Sequence, residues 1–210
     1  MIVKLISVAI ASYLIGSISS GVLISRHFFH DDVRVHGSGS AGMTNMLRNY
    51  SKWAAALTFL CDFIKGILPT LAGLLWLGRP GGEIAAFAAL LGHVYPIFFR
   101  FHGGKGMVTA AGGILVLYPA LLPFLAVPWL ILTFTTRIVS VASLSAAFLY
   151  PIGVVVWCGI TGTPLLQPLL LAVASMVLIF WMHRGNIKRL LNGTENGFGK
   201  KKSSDENPNG

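Results

Sequence analysis

The sequence predicts an all-α, polytopic transmembrane bundle, and three observations carry that prediction. Only 11% of the 210 residues are charged, against roughly 25% in an average soluble domain. Mean hydropathy is +0.72. Apolar runs close to the ~20 residues of a membrane-crossing helix recur along the chain. Residues 1–199 read as one integral-membrane domain, and the polar stretch 200–210 as a disordered cytoplasmic tail. The same figures exclude other classes despite a net charge of +9. A disordered chain needs low hydrophobicity, and a nucleic-acid binder carries its positive charge on a charge-rich soluble surface. No nucleic-acid partner is therefore expected. Cys61 and Cys158 sit inside apolar runs and read as buried thiols, not as a disulfide scaffold.

The first run, roughly 3–25, exceeds the ~7–15-residue apolar core of a signal peptide and is read as a retained helix. Runs at 53–77 and 83–100 follow. The stretch 106–135 is interrupted by Pro119, Pro123 and Pro128, where helices break or kink. It reads either as one kinked span or as a short helix 106–118 followed by a second at 120–135. Runs 139–158 and 164–183 complete the series. The Lys/Arg bias of the connecting loops chooses between six and seven spans. Seven spans, with the N-terminus outside and the C-terminus cytoplasmic, collect 13 of the 16 Lys and Arg on the inner side. Six spans would split them between the two faces.

The inner loops carry the unusual residues. The first reads Gly37-Ser38-Gly39-Ser40-Ala41-Gly42-Met43-Thr44-Asn45-Met46-Leu47-Arg48. Glycines let backbone N–H groups converge on an anion. Ser38, Thr44 and Asn45 add side-chain donors, and Arg48 adds a guanidinium suited to phosphate oxygens. The spacing of Gly37, Gly39 and Gly42 also matches a dinucleotide-binding fingerprint, but that reading needs a preceding strand, and here an apolar helix precedes. The second cluster runs from Gly92-His93 to Gly103-Gly104-Lys105-Gly106: again glycines and a cation open a helix. His93 either satisfies a backbone carbonyl or serves the site. Inside the second run, Asp62 and Lys65 lie three residues apart, on one helix face. They form either a structural ion pair or the wall of an anionic-substrate cavity. After the last run come His183, Asn186 and Glu195, with His183 and Asn186 sharing a face, and Arg137, Ser140 and Ser143 form a weaker group at the start of the sixth helix. No set of Cys, His and carboxylate residues has metal-ligand spacing, so no metal or cofactor is expected. The residues alone describe a membrane protein that binds one or two phosphate-like anions at its inner face.

The motifs at 37–48, 62–66 (Asp-Phe-Ile-Lys-Gly), 92–109 and 183–195 resemble those of the bacterial acyl-phosphate:glycerol-3-phosphate acyltransferase family, PlsY, over nearly the whole chain. The chain departs from the family pattern at Ser40 and Met43, where Asn and Ala are usual, and at Met107-Val108. The resemblance implies transfer of a fatty acyl group from acyl-phosphate to the sn-1 hydroxyl of glycerol 3-phosphate at the cytoplasmic face of the bacterial inner membrane. Lysophosphatidic acid and phosphate are the products. It implies a soluble acyl-phosphate-producing enzyme as a partner, besides the lipid bilayer. On this reading Gly37, Ser38, Gly39, Gly42, Thr44, Asn45 and Arg48 hold the donor phosphate. Lys105, His183 and Asn186, with Arg48, neutralise the leaving phosphate and the developing oxyanion. Lys65, Gly103, Gly104, Gly106, Arg137 and Ser143 hold the acceptor, and Asp62, His93 and Glu195 support them. The base is either a histidine or, as the resemblance implies, a substrate phosphate. A transporter of a phosphorylated metabolite is the alternative. It would extend polar residues to the outer face, whereas here they cluster at the inner one.

Overall fold

A computed structural model describes residues 1–197; the expected tail over 200–210 lies outside them. Among the described residues every regular element is helical. The helices are α1 (Ile2–Gly16), α2 (Ser20–Phe29), α3 (Met43–Asn49), α4 (Lys52–Val94), α5 (Met107–Leu117), α6 (Leu121–Thr136), α7 (Val139–Thr161), α8 (Leu166–Met182) and α9 (Arg184–Leu191). Short 3₁₀ turns occupy Val33–Val35 and Ile97–Phe99. Segments Ile2–Phe29, Lys52–Phe99 and Val139–Thr161 are each long and apolar enough to cross a membrane, and α8 with α9 forms a further candidate bent by 58°.

The first run is not one straight helix. It breaks at 17–19, where Lys65 Nζ takes the carbonyl of Ile18 at 2.8 Å and Ser20 Oγ donates to Asp62 Oδ1 at 2.5 Å. Two charges contributed by α4 therefore satisfy backbone and side-chain groups that the interruption exposes. The segment α4 is two helices joined at a kink, where Gly78 (φ 67°, ψ −162°) is not helical. The chain folds back there into two arms, and Gly73 and Gly81 face each other so closely that a side chain on either would strike the other's carbonyl. Pro80 falls in the first turn of the second arm, where its missing N–H has no helical partner to lose. This arm ends at Val94, ahead of Pro96, and so is shorter than the run to residue 100 suggested.

The remaining breaks follow local chemistry. Helices α5 and α6 are separated at Tyr118–Ala120 around Pro119, which matches the two-helix reading of 106–135. Gly162 (φ 68°) ends α7 in a left-handed cap. Close helix approaches rest on small residues, as usual where apolar solvent supplies no drive for association: Gly16 against Ala89, and Gly66 against Thr109 and Gly112. Leu75, Ile160 and Leu166 are 78%, 80% and 74% exposed, an outward apolar surface suited to lipid. Cys61 faces out with them, contrary to the expectation of two buried thiols, because its helix face is turned from the bundle; Cys158 is buried.

Candidate active site

A cavity of about 420 Å³ opens at the end of the bundle where α3, α9 and the loops before α3 and α5 meet. Ser38, Ser40, Gly42, Met43, Thr44, Asn45 and Arg48 line it from the first loop and α3, Asp62 and His93 from α4, and Lys105 and Gly106 from the loop before α5. Ser140 and Ser143 of α7 join them, as do His183, Asn186 and Glu195. Residues from four separate sequence clusters thus share one space. Below the polar mouth the walls become apolar, formed by α4 to α8.

The glycine loop is shaped from within by Asn45, which is 2% exposed. Its amide nitrogen donates to the carbonyls of Val33, His36 and Ser40 at 2.9, 3.0 and 3.0 Å. Its Oδ1 accepts from Ser38 N at 3.1 Å and Asn49 Nδ2 at 2.9 Å. That uses the full donor and acceptor capacity of an amide. The structure gives Asn45 a positioning role where the sequence suggested an anion ligand. Gly37 and Gly39 adopt φ of 55° and 69°, and their place is to turn the loop; neither lines the cavity. The loop is tied to the next one by Ala41 N donating to Gly103 O at 3.2 Å. Arg34, braced by Asp32, adds a second tie by donating to the carbonyls of Phe99 and His102 at 2.8 and 3.2 Å.

Gly103 and Gly104 also stand outside the cavity. Their N–H groups donate to the carbonyls of Val94 and His93 at 3.2 and 3.1 Å, satisfying the open end of α4. Gly106 (φ 86°) lines the cavity and starts α5. Lys105, carried between these glycines, donates through Nζ to Asn186 Oδ1 at 2.5 Å. Asn186 Nδ2 donates onward to Glu195 Oε1 at 2.5 Å, which also accepts from Ser140 Oγ at 2.9 Å. Arg189 Nε donates to Glu195 Oε2 at 2.7 Å. Burial works against the Glu195 carboxylate, but the hydrogen bonds from Asn186, Ser140 and Arg189 outweigh it and hold the group below the usual carboxylate range. Burial pushes the Lys105 ammonium down to about 8; Glu195 opposes that shift, and Arg189 and Arg48 add to it. Arg48, exposed at the rim, donates to the carbonyl of Asn196 at 3.0 Å.

His183 sits at the bend between α8 and α9 and is 3% exposed. Its Nδ1 lies 2.8 Å from Ile179 O. That bond assigns the proton to Nδ1 and makes Nε2 the acceptor of the neutral ring.

Asp62 Oδ1 meets Lys65 Nζ at 2.8 Å and Ser20 Oγ at 2.5 Å. His93 Nδ1 is 3.5 Å from the same oxygen and makes no hydrogen bond among the described residues. Lys65 is 6% exposed, and its ammonium is held by Asp62 and Ile18. It does not line the cavity, so the acceptor role expected of it finds no support in its placement. Arg137 is exposed, caps α6 in a left-handed conformation and is likewise absent from the cavity wall. Among the described residues no three His, Cys, Asp or Glu side chains gather as a metal site. Arg34 and Asp32 support the site without belonging to any of its motifs. Their only local signal was the spacing of one charge pair, and the carbonyls that Arg34 grips lie 65 and 68 positions away.

Charge accounting separates the cavity cations from the rest. Asp62 and Glu195 both have cationic partners, Lys65 and Arg189. Arg48 and Lys105 hydrogen-bond only neutral oxygens among the described residues. The cavity mouth thus holds two cations whose charge no carboxylate in direct contact offsets.

Residues 6–193 match the family model described as glycerol-3-phosphate acyltransferase. The glycerol-3-phosphate acyltransferase of Paraburkholderia phytofirmans is 43% identical over 203 residues, covering 94% of this chain and 92% of that protein. That of Methylobacillus flagellatus is 42% identical over 198 residues, covering 91% and 96%. Among solved structures, the glycerol 3-phosphate form of PlsY, an integral membrane glycerol 3-phosphate acyltransferase, superposes with a TM-score of 0.85 at 35% identity, covering 93% of this chain and 96% of that one. The lysophosphatidic acid form gives 0.80. With its motifs, its helical architecture and these matches in agreement, the chain belongs to the bacterial, integral-membrane glycerol-3-phosphate acyltransferase family, PlsY.

Proposed function

We propose that this protein transfers a fatty acyl group from acyl-phosphate to the sn-1 hydroxyl of glycerol 3-phosphate, releasing lysophosphatidic acid and phosphate. The observation that carries the reading is the pair of cations, Arg48 and Lys105, in one cavity and with only neutral partners among the described residues. Both substrates bring phosphate charge, and the donor brings an apolar chain. The cavity has a cationic, hydroxyl-rich mouth and an apolar lower part to match.

The chemistry asks little of the protein. Acyl-phosphate is a mixed anhydride. The acceptor oxygen forms a bond to the acyl carbon, the bond from that carbon to the phosphate oxygen breaks, and phosphate leaves with the electron pair. The hydroxyl proton passes to a phosphate oxygen, or to His183 Nε2, the acceptor nitrogen of that ring. Lys105, oriented by Asn186 and through it by Glu195, meets the charge that grows on the leaving phosphate. Arg48 and the hydroxyls of Ser38, Ser40 and Thr44 hold phosphate oxygens. Ser140 and Ser143 face the acceptor. The family match and the apolar exterior support a seven-span topology with the N-terminus outside and the cavity mouth at the cytoplasmic face of the inner membrane, where a soluble acyl-phosphate-producing enzyme would deliver the donor.

The test uses purified protein in detergent or vesicles with palmitoyl phosphate and glycerol 3-phosphate. Lysophosphatidic acid and inorganic phosphate should appear in equal amounts. Product formation from acyl-CoA but not from acyl-phosphate would overturn the donor assignment.

A further inference from the structure

We infer that Ile114 and Tyr150 form the end wall of the acyl track and set the longest acyl chain this enzyme accepts; the inference rests on the reading that the acyl chain occupies the apolar part of the cavity. Two cavities meet at these residues. The large one descends from the polar mouth between α5, α6 and α7. A second, of about 20 Å³, lies beyond and is lined by Glu83, Leu117 and Tyr118 among others. Ala110, Ile114 and Tyr150 line both. They are therefore the partition, and the two bulky side chains close it.

The partition sits at a meaningful depth. From Ser140 at the mouth to Tyr150, α7 advances roughly 15 Å at ~1.5 Å per residue, about half of a ~30 Å hydrocarbon layer. The wall is also backed. Tyr150 packs edge-on against Tyr118, with ring centroids 6.4 Å apart. Tyr118 is 1% exposed and donates to Glu83 Oε1 at 3.2 Å. The Arg79 guanidinium lies 4.8 Å from the Tyr118 ring centroid and its Nε is 3.2 Å from the same Glu83 oxygen. Ile114 belongs to a buried cluster with Leu117, Leu121 and Tyr118. An acyl chain that passed the wall would meet a small space next to a buried carboxylate, a poor environment for methylenes. The stop is thus both steric and polar.

The experiment measures kcat/KM for lauroyl, myristoyl, palmitoyl, stearoyl and arachidoyl phosphate in the full-length protein and its variants. Ile114→Ala and Tyr150→Ala should move the optimum to longer chains, raising the long-to-short ratio roughly tenfold for the first homologue that gains buried methylenes. Ile114→Phe should move it to shorter ones. The KM for glycerol 3-phosphate should stay unchanged in all three, since that substrate binds at the mouth. Ile114→Val and Tyr150→Leu provide smaller openings should an alanine variant fail to fold. An active wild-type enzyme whose chain-length profile is the same in every folded variant overturns the wall. A wild-type protein that transfers from none of these donors instead overturns the functional reading beneath it.

Discussion

Lys65 and Lys105 are alike in sequence, each next to a glycine and each withdrawn from water, yet their ammonium groups meet different partners. Lys65 lies 2.8 Å from the Asp62 carboxylate and caps Ile18 O across a helix break. Among the described residues, Lys105 meets only the amide oxygen of Asn186. The first charge is neutralised inside the fold and so serves the fold. The second is oriented but not neutralised, and so remains available to an anion. Burial of a charge does not reveal its purpose; the identity of its partner does.

Breaking the two lysines should therefore give opposite results. Lys65→Met leaves Asp62 buried without its cation, and removing one partner of a buried pair costs about 3–5 kcal/mol. Its melting temperature should fall steeply, and Asp62→Leu added to it should restore part of the loss. The KM for glycerol 3-phosphate in the surviving folded fraction should be close to wild type, which product assays on the detergent-purified protein would check. Lys105→Met should do the reverse. Its kcat/KM should drop ~10²–10³-fold, the cost of losing one preorganised charge at a reacting centre, with an unchanged melting curve. Arg48→Ala should resemble Lys105→Met.

Asn45 sharpens the comparison from a third side, because it touches the site's shape and not its charge. Asn45→Ala unties Ser38 N and three carbonyls at once. A local cost of about 1–3 kcal/mol follows from leaving buried groups unpaired. Hydrogen exchange should accelerate across 36–42, and kcat/KM should fall less than in Lys105→Met. An unchanged exchange rate would remove Asn45 from its organising role.

The smallest effect is a pH dependence. The Lys105 ammonium is held down to about 8, and only its charged form serves. Activity should be full below that value and fall as pH rises through it. Lys105→Arg should keep its charge and lose this alkaline limb, whatever its absolute rate, as a pH profile of kcat/KM would show.

How much of this the sequence made legible depends on the range of each interaction. The helices and most of their breaks are local, written in apolar runs, in the gaps between those runs and in Pro119, and they were readable. The glycine-rich loops were readable as a group, since several conformationally permissive residues next to hydroxyls and cations have few other uses. The break at 17–19 was not, because its causes lie more than 40 positions away in Asp62 and Lys65. The division of labour within the motifs was hidden for the same reason. Asn45 and Thr44 are neighbours in one motif, yet the amide of Asn45 is wholly engaged by the loop while Thr44 faces the cavity. Gly104 and Gly106 likewise separate into a helix cap and a cavity wall. Spacing places a residue near a site; only the fold decides which atom remains free there.

Arg48 and Lys105, and not Lys65, are the cations proposed to carry the phosphate charge. The most direct measurement is calorimetric binding of a non-transferable acyl phosphonate to wild type, Arg48→Met, Lys105→Met and Lys65→Met, each checked for folding. Affinity should fall roughly 10–100-fold in each of the first two variants, the worth of a charged hydrogen bond, and stay within about twofold in Lys65→Met. Full affinity in Lys105→Met together with a large loss in Lys65→Met would contradict that assignment.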